Sequence, residues 1–379
     1  MKKNPLGLYI HIPFCIKRCN YCSFTSYLYN VEVENKYIDV LKKEFELRKE
    51  EYKNRYFHSI YIGGGTPTVL TEKSLDNLMK VIQDNFSYHN KTEITIEANP
   101  GTINKNKLKI LKTSGINRLS IGVQSFQPKI LHFLGRFHSE SDIYDSYYKA
   151  QEAGFDNINL DLLFGVPIQD EKDWEKCLEK AVKLKPEHIS MYNLTYEPGT
   201  ILTKNLKNGK FNAKPSDIEF IMYRYGINFL HKHGYKQYEI SNFARPKKEC
   251  SHNLLYWKNH EYLGFGLGSV SYFHDIRYTN TKNIKKYIEK LQKNIIPVTE
   301  KEYINREKQI NEAIALGLRL IKGLSKINFK KRFGVSLEEL HEETIKKLQS
   351  NKFIKNNPNF LKLTRRGIYL NNNVISEFM

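Results

Sequence analysis

Two hydrophobic periods alternate along the first half of the chain. Short β-branched runs, beginning at LGLYIHI (6 to 12), place apolar residues at every second position, and each gives way to a longer stretch with apolar positions three and four apart, as from Val31 to Tyr52. FHSIYIGG, TEITIEAN, RLSIGVQ, NINLDLLF and EHISMYNL predict five further strands, separated by helical segments such as Ser74 to Asn85 and Lys172 to Leu184. Six βα units of this kind imply an α/β fold with a parallel sheet and helices outside it, either an open barrel or a doubly wound sheet. A barrel places functional groups at the C-terminal ends of its strands.

Past Pro198 the strict alternation stops. Ser216 to His233 reads as a helix leading into YKQYEISNFA, a strand and turn, and Arg306 to Lys322 opens a C-terminal part. There LEELHEETIKKLQSN reads as a helix and FLKLTRRGIYLNN as a short hairpin, an order similar to a winged helix. Such units bind DNA in some proteins and only pack or contact proteins in others, so the shape alone decides nothing. The expected organisation is a barrel core over 1–200, an accessory, barrel-completing region over 201–300 and a winged-helix-like α+β unit over 301–379. No internal repeat beyond the βα alternation is visible.

Composition narrows the function classes. With 379 residues and 40% hydrophobic content the chain can bury a sizeable core. No run approaches the roughly 18 apolar residues of a membrane span, and MKKNPLGLYIHIPF carries two prolines early, so the expectation is a cytoplasmic protein without a cleaved signal. The formal net charge is +19, but lysines occur in nearly every segment, which points to a compositional bias rather than one basic patch. No nucleic-acid partner is expected, while peripheral association with an anionic membrane face is permitted. Three of the five cysteines fall within eight residues, a pattern of metal binding in a reducing compartment rather than of disulfides.

Those three are Cys15, Cys19 and Cys22, spaced C-x3-C-x2-C directly after the first strand. Thiolates are the soft ligands of iron–sulfur clusters and of zinc. Three of them leave one iron of a cubane open, whereas a structural zinc needs a fourth donor such as His11, Cys177 or Cys250. Cys177, on a helical segment, and Cys250, far along the chain, read more simply as structural thiols. A second motif, IYIGGGTPTVL, sets Gly63, Gly64 and Gly65 between a strand and a helix, where backbone N–H groups can approach a ligand; Thr66 and Pro67 stiffen it. Glu97, Gln124, Arg136 and Asp161 then stand at the ends of successive strands, on the rim that carries the cysteines.

Together these features resemble the radical-SAM superfamily. The resemblance implies a partial (β/α)6 barrel and a [4Fe–4S] cluster on Cys15, Cys19 and Cys22, whose open iron takes the amino and carboxylate groups of S-adenosylmethionine. One-electron reduction of that ligand can yield a 5′-deoxyadenosyl radical. The strings Y-x-H-x-P-F-C, GGGTPT, E-x-N-P-G, GVQSF, GR-x-H and D-x-x-x-G-x-P extend the likeness to the family of oxygen-independent coproporphyrinogen III oxidases and related heme chaperones. Carried over, Tyr9, Gly64 and Glu97 resemble contacts to cluster-bound S-adenosylmethionine, and Tyr21, Gly65, Thr66, Gln124, Arg136 and Asp161 contacts to the same or a second molecule. Two departures favour the chaperone branch: Phe24 stands where the oxidases have a fourth cysteine, and only eight residues precede Tyr9. CSHNLLYW supplies the H-N-x-x-Y-W arrangement of that branch, with His252 as a candidate heme ligand. The following GFGLGSVSY, with Gly264, Gly266 and Gly268, reads as a loop of close backbone approach or a tight turn. The function implied is a heme chaperone that delivers heme to acceptor proteins, some of them membrane-associated. The alternative is oxidative decarboxylation of coproporphyrinogen III; no oligomeric state is implied.

Overall fold

A computed structural model describes residues 5–379. The six expected strands form as Leu6–Ile12, Tyr56–Gly64, Ser87–Ala98, Arg118–Gln124, Ile158–Phe164 and His188–Asn193, each parallel to the next. Their spatial order equals their chain order. That is the arrangement of a barrel, since a doubly wound sheet reverses direction at a switch point. The barrel is partial and stays open. The first strand pairs on its outer side with Glu261–Phe265, and the sixth with the antiparallel strand Asn242–Ala244.

Strand alternation explains how this sheet buries one face and equips the other. Leu6, Leu8, Ile10 and Ile12 are fully buried, in one core with Leu41 and Phe45 of the helix Val31–Leu47 and Leu75 and Leu78 of the helix Glu72–Asn85. The opposite face carries polar groups in register: Tyr9 beside Tyr61, Tyr61 beside Thr95, Glu97 beside Ser120, Asp161 beside Ser190. The barrel therefore has an apolar outside under helices and a polar inside. The helix expected to continue from Val31 to Tyr52 is broken at Arg48, between Val31–Leu47 and Lys49–Tyr52. The Arg48 guanidinium is buried there, bonded to Glu44, Glu51 and the carbonyl of Gly264.

The accessory residues widen the sheet rather than form a separate body. Val270–Phe273, Ile276–Asn280 and Val298–Tyr303 continue it antiparallel from Glu261–Phe265. The C-terminal unit runs helix Arg306–Leu318, strand Leu324–Ser325, helices Lys326–Phe333 and Leu337–Ser350, then strands Ile354–Asn356 and Phe360–Leu363, the order of a winged helix. It has its own core, with Ile314, Leu318, Phe329 and Leu361. Its hairpin lies earlier than the sequence suggested. Asn357 makes the turn by accepting from the N–H groups of Asn359 and Phe360, while Thr364 caps a helix over Arg365–Tyr369.

Candidate active site

The site grows from the end of the first strand. Phe14–Cys15 pairs with Tyr27–Leu28, closing the loop that carries Cys19 and Cys22. His11, the last inward residue of that strand, ties the loop down: Nε2 bonds the Thr25 carbonyl at 2.8 Å and Nδ1 the Tyr9 hydroxyl at 2.9 Å. Burial lowers its pKa to about 4. The ring is thus neutral at pH 7, donating to Thr25 and accepting from Tyr9. The three thiols are half-buried and line one cavity of about 1020 Å³. Burial raises the pKa of Cys15 and Cys22, and the negative charges of the neighbouring cysteines push the same way.

Among the described residues no three His, Cys, Asp or Glu side chains converge closely enough to grip a single metal ion. The proposed fourth zinc donors are committed elsewhere. His11 is doubly bonded as above, Cys177 sits in the barrel core, and the buried Cys250 thiol donates to Glu93 at 3.4 Å.

The glycine loop lies directly against the cysteine loop. Gly65 N–H donates to the Ile12 carbonyl and Thr66 N–H to the Phe14 carbonyl, both at 2.8 Å. A Cβ at Gly65 would stand 2.6 Å from the Phe14 carbonyl and 2.9 Å from the Cys15 sulfur. Gly64 adopts φ +117°, a conformation open to glycine. Glu97 anchors this loop from the third strand, accepting from Gly64 N–H at 3.0 Å and from the Tyr61 hydroxyl at 2.9 Å. Burial raises its pKa to about 7.

Arg136 closes the far side, not from a strand end as expected but from the turn after the helix Pro128–Leu134. Nη1 donates to the Cys19 sulfur at 3.3 Å, and Nη2 to Asn99 Oδ1 at 2.6 Å and to the Gly122 carbonyl. Its buried Nε has no partner among the described residues. Asp161 accepts from Ser120 and Asn159. Gln124 holds a left-handed φ of +63° at the end of its strand, an uncommon conformation for a residue other than glycine. Tyr21, Gly64, Gly65, Thr66, Glu97, Gln124, Arg136 and Asp161 all line the same cavity as the cysteines.

Comparison with known proteins agrees with this geometry. The profile of the Radical SAM superfamily matches residues 9–181, and that of the HemN C-terminal domain residues 304–370. The heme chaperone HemW of Bacillus subtilis is 38% identical over 98% of both chains. The chain belongs to the HemW family of radical-SAM proteins. The heme chaperone HemW of Lactococcus lactis is 35% identical, covering 100% of this chain and 98% of its own. Among solved structures, coproporphyrinogen III oxidase (HemN) from Escherichia coli matches with a TM-score of 0.87 at 25% identity, over 99% of this chain and 90% of that one.

Two expected residues lie away from the cavity wall. Tyr9 is half-buried one layer below it, bonded to His11. His252 is not placed to ligate heme: it is 1% exposed in the barrel floor, with Nδ1 on the Ser59 hydroxyl at 2.9 Å and Nε2 on the Tyr256 hydroxyl at 3.0 Å. Both ring nitrogens are used, and burial lowers its pKa to about 3. The glycines after it make the close approach, a Cβ at Gly266 standing 2.5 Å from the His11 carbonyl. Sequence reasoning missed Asn99, although it lies inside the E-x-N-P-G string. It also missed Tyr192, near the end of the sixth barrel strand, and Tyr223, Arg319 and the segment from Ile368 to Asn372, which complete the cavity from outside the barrel core. The strand-end position of Tyr192 could have marked it; nothing in the local sequence marks the others.

Proposed function

We propose that this protein is a heme chaperone that holds a [4Fe–4S] cluster on Cys15, Cys19 and Cys22, binds S-adenosylmethionine beside it and passes heme to acceptor proteins. The observation that carries it is the single cavity shared by the three cysteines, the glycine loop and the polar groups Glu97, Gln124, Arg136 and Asp161, in a chain related end to end to heme chaperones. The donor set suits the groups. The Gly65 cradle admits no side chain, and the unpartnered Arg136 Nε offers a donor to a carboxylate. Asp161 and Glu97 offer acceptors for ribose hydroxyls. When bound, the cluster supplies an open iron for the amino and carboxylate groups of S-adenosylmethionine and a route for one electron.

The chain's own contribution is placement. His11 and the Gly64–Thr66 backbone hold the two loops together, and Arg136 sets a positive charge against Cys19. The deciding experiment is a spectroscopic heme titration of the cluster-loaded protein, with and without S-adenosylmethionine. Stoichiometric uptake is expected; cluster absorbance without any heme uptake would reject the reading. The likeness to HemN raises coproporphyrinogen III decarboxylation as the second reading. Anaerobic incubation with reductant, S-adenosylmethionine and coproporphyrinogen III should give no decarboxylated product, because Phe24 replaces the fourth cysteine of the oxidases. A cytoplasmic location at or near the membrane face, with membrane-associated acceptors, completes the proposal.

A further inference from the structure

The cavity is larger than the cluster end requires, at the upper limit of the ~300–1,000 Å³ usual for small-molecule pockets. Its other wall is built by the helix Ser216–Lys232 and the C-terminal unit. Phe220 and Tyr369 meet edge to face there with ring centroids 4.5 Å apart, and Tyr223 stacks on Phe164 behind them at 5.8 Å. Phe220 remains 38% exposed. An aromatic wall of this kind suits a flat, apolar ligand face.

Arg319 stands on the same wall. Its guanidinium makes no hydrogen bond or ion pair with any described residue, and its Nε is buried and unpartnered. The other cations of the cavity differ: Lys17 and Arg18 are exposed on the cysteine loop, and Arg136 is already bonded. Of two nearby carboxylates, Glu219 accepts from Asn193, and Glu239 accepts from Ser241 N–H and Asn242 through Oε1 while its buried Oε2 stays unbonded, so Arg319 acts on Glu239 through charge and not through a hydrogen bond. What holds Arg319 is Trp257, whose ring lies 4.7 Å from the guanidinium carbon. Trp257 ends the H-N-x-x-Y-W stretch, so the motif whose histidine is locked in the floor reaches the cavity through this stacking contact.

We propose that the wall formed by Phe220, Tyr369 and Arg319 is the docking site of the tetrapyrrole, with the macrocycle against the aromatic rings and one propionate carboxylate on Arg319, which Trp257 positions. The inference rests on the heme-carrier reading above. A guanidinium that makes no hydrogen bond in a semi-enclosed cavity has donors free for a carboxylate, and the planar fork with a stacked face is the form in which Arg serves that role.

The test compares heme with its dimethyl ester, whose propionates carry no charge, on cluster-loaded full-length protein. Wild type should bind heme about tenfold or more tightly than the ester, as expected for a hydrogen bond to a charged group. R319Q should lose that preference while binding the ester as wild type does and keeping its cluster absorbance. R319K should retain part of it. W257L should weaken the preference too, and add little to R319Q when the two are combined. No heme uptake by wild type rejects the chaperone reading itself. Equal wild-type affinity for heme and ester, an undiminished preference in R319Q, or an equal loss of heme and ester binding in R319Q overturns this proposal alone.

Discussion

Cys15, Cys19 and Cys22 reach the cavity from one short loop, whereas Cys177 and Cys250 are buried in the barrel core and floor. Replacing any of the first three by Ser should abolish the visible absorbance of the reconstituted protein, while Cys177→Ala and Cys250→Ala should retain it. Glu97 gives a pH signature. Its carboxyl has a folded pKa of about 7 against an ordinary value of 4.5, so the folded state binds the extra proton between those values. Stability from this group is therefore full below pH 4.5 and is lost as pH rises to about 7. Urea unfolding from pH 5 to 8 should show a shallower decline in Glu97→Gln than in wild type. His252→Phe strands the Ser59 and Tyr256 hydroxyls in a closed floor and should cost about 1–3 kcal/mol of stability. The spectrum of added heme should not change.

At the scale of elements, the buried pair Glu44 and Arg48 joins the first helix to the widened sheet. Glu44 accepts from Arg48, the Gly266 N–H, the Asn280 amide and the Tyr287 hydroxyl. Through Gly266, which touches the His11 carbonyl, the same contacts brace the root of the cysteine loop. Arg48 keeps its pair with Glu51, but Glu44→Ala strands the buried Gly266 N–H and Tyr287 hydroxyl and should lower unfolding free energy by about 2–5 kcal/mol. Asp76→Ala, which breaks the exposed pair with Lys80, should change it by no more than about 0.5 kcal/mol. Denaturant titration of both variants checks the contrast. The βα alternation was legible because short β-branched apolar runs alternate with longer stretches of helical period. The break at Arg48 was not, since it follows from an ion pair and a carbonyl more than two hundred residues away.

Across the whole molecule, the C-terminal unit finishes the cavity that the barrel begins. Residues 368–372 share its wall with cysteines 15–22, so ligand access and the winged-helix-like unit are one matter. No described helix is long and apolar enough to cross a membrane. The charge of +19 should nevertheless give weak co-sedimentation with anionic vesicles at low salt. That binding should fall steeply as ionic strength approaches physiological values, where the Debye length is about 8 Å. Binding that persists at high salt would point instead to an apolar anchor.

The sequence by itself determined the six strands, the spacing of three cysteines, the glycine loop and the strand residues Glu97, Gln124 and Asp161, because each is written in adjacent residues or in a short period. It also carried the family, through strings distributed along the whole chain. Only the tertiary structure decided that the strands run in barrel order with no switch point, that His252 is locked into the floor with both nitrogens bonded, and that Arg319 is left without a hydrogen bond above Trp257. Those outcomes depend on which distant side chains meet, and no local pattern encodes a hydrogen bond between residues 59 and 252. The wall of the site opposite the cysteines, with Phe220 and Tyr369, exists only because two separately cored parts of one chain close on the same space.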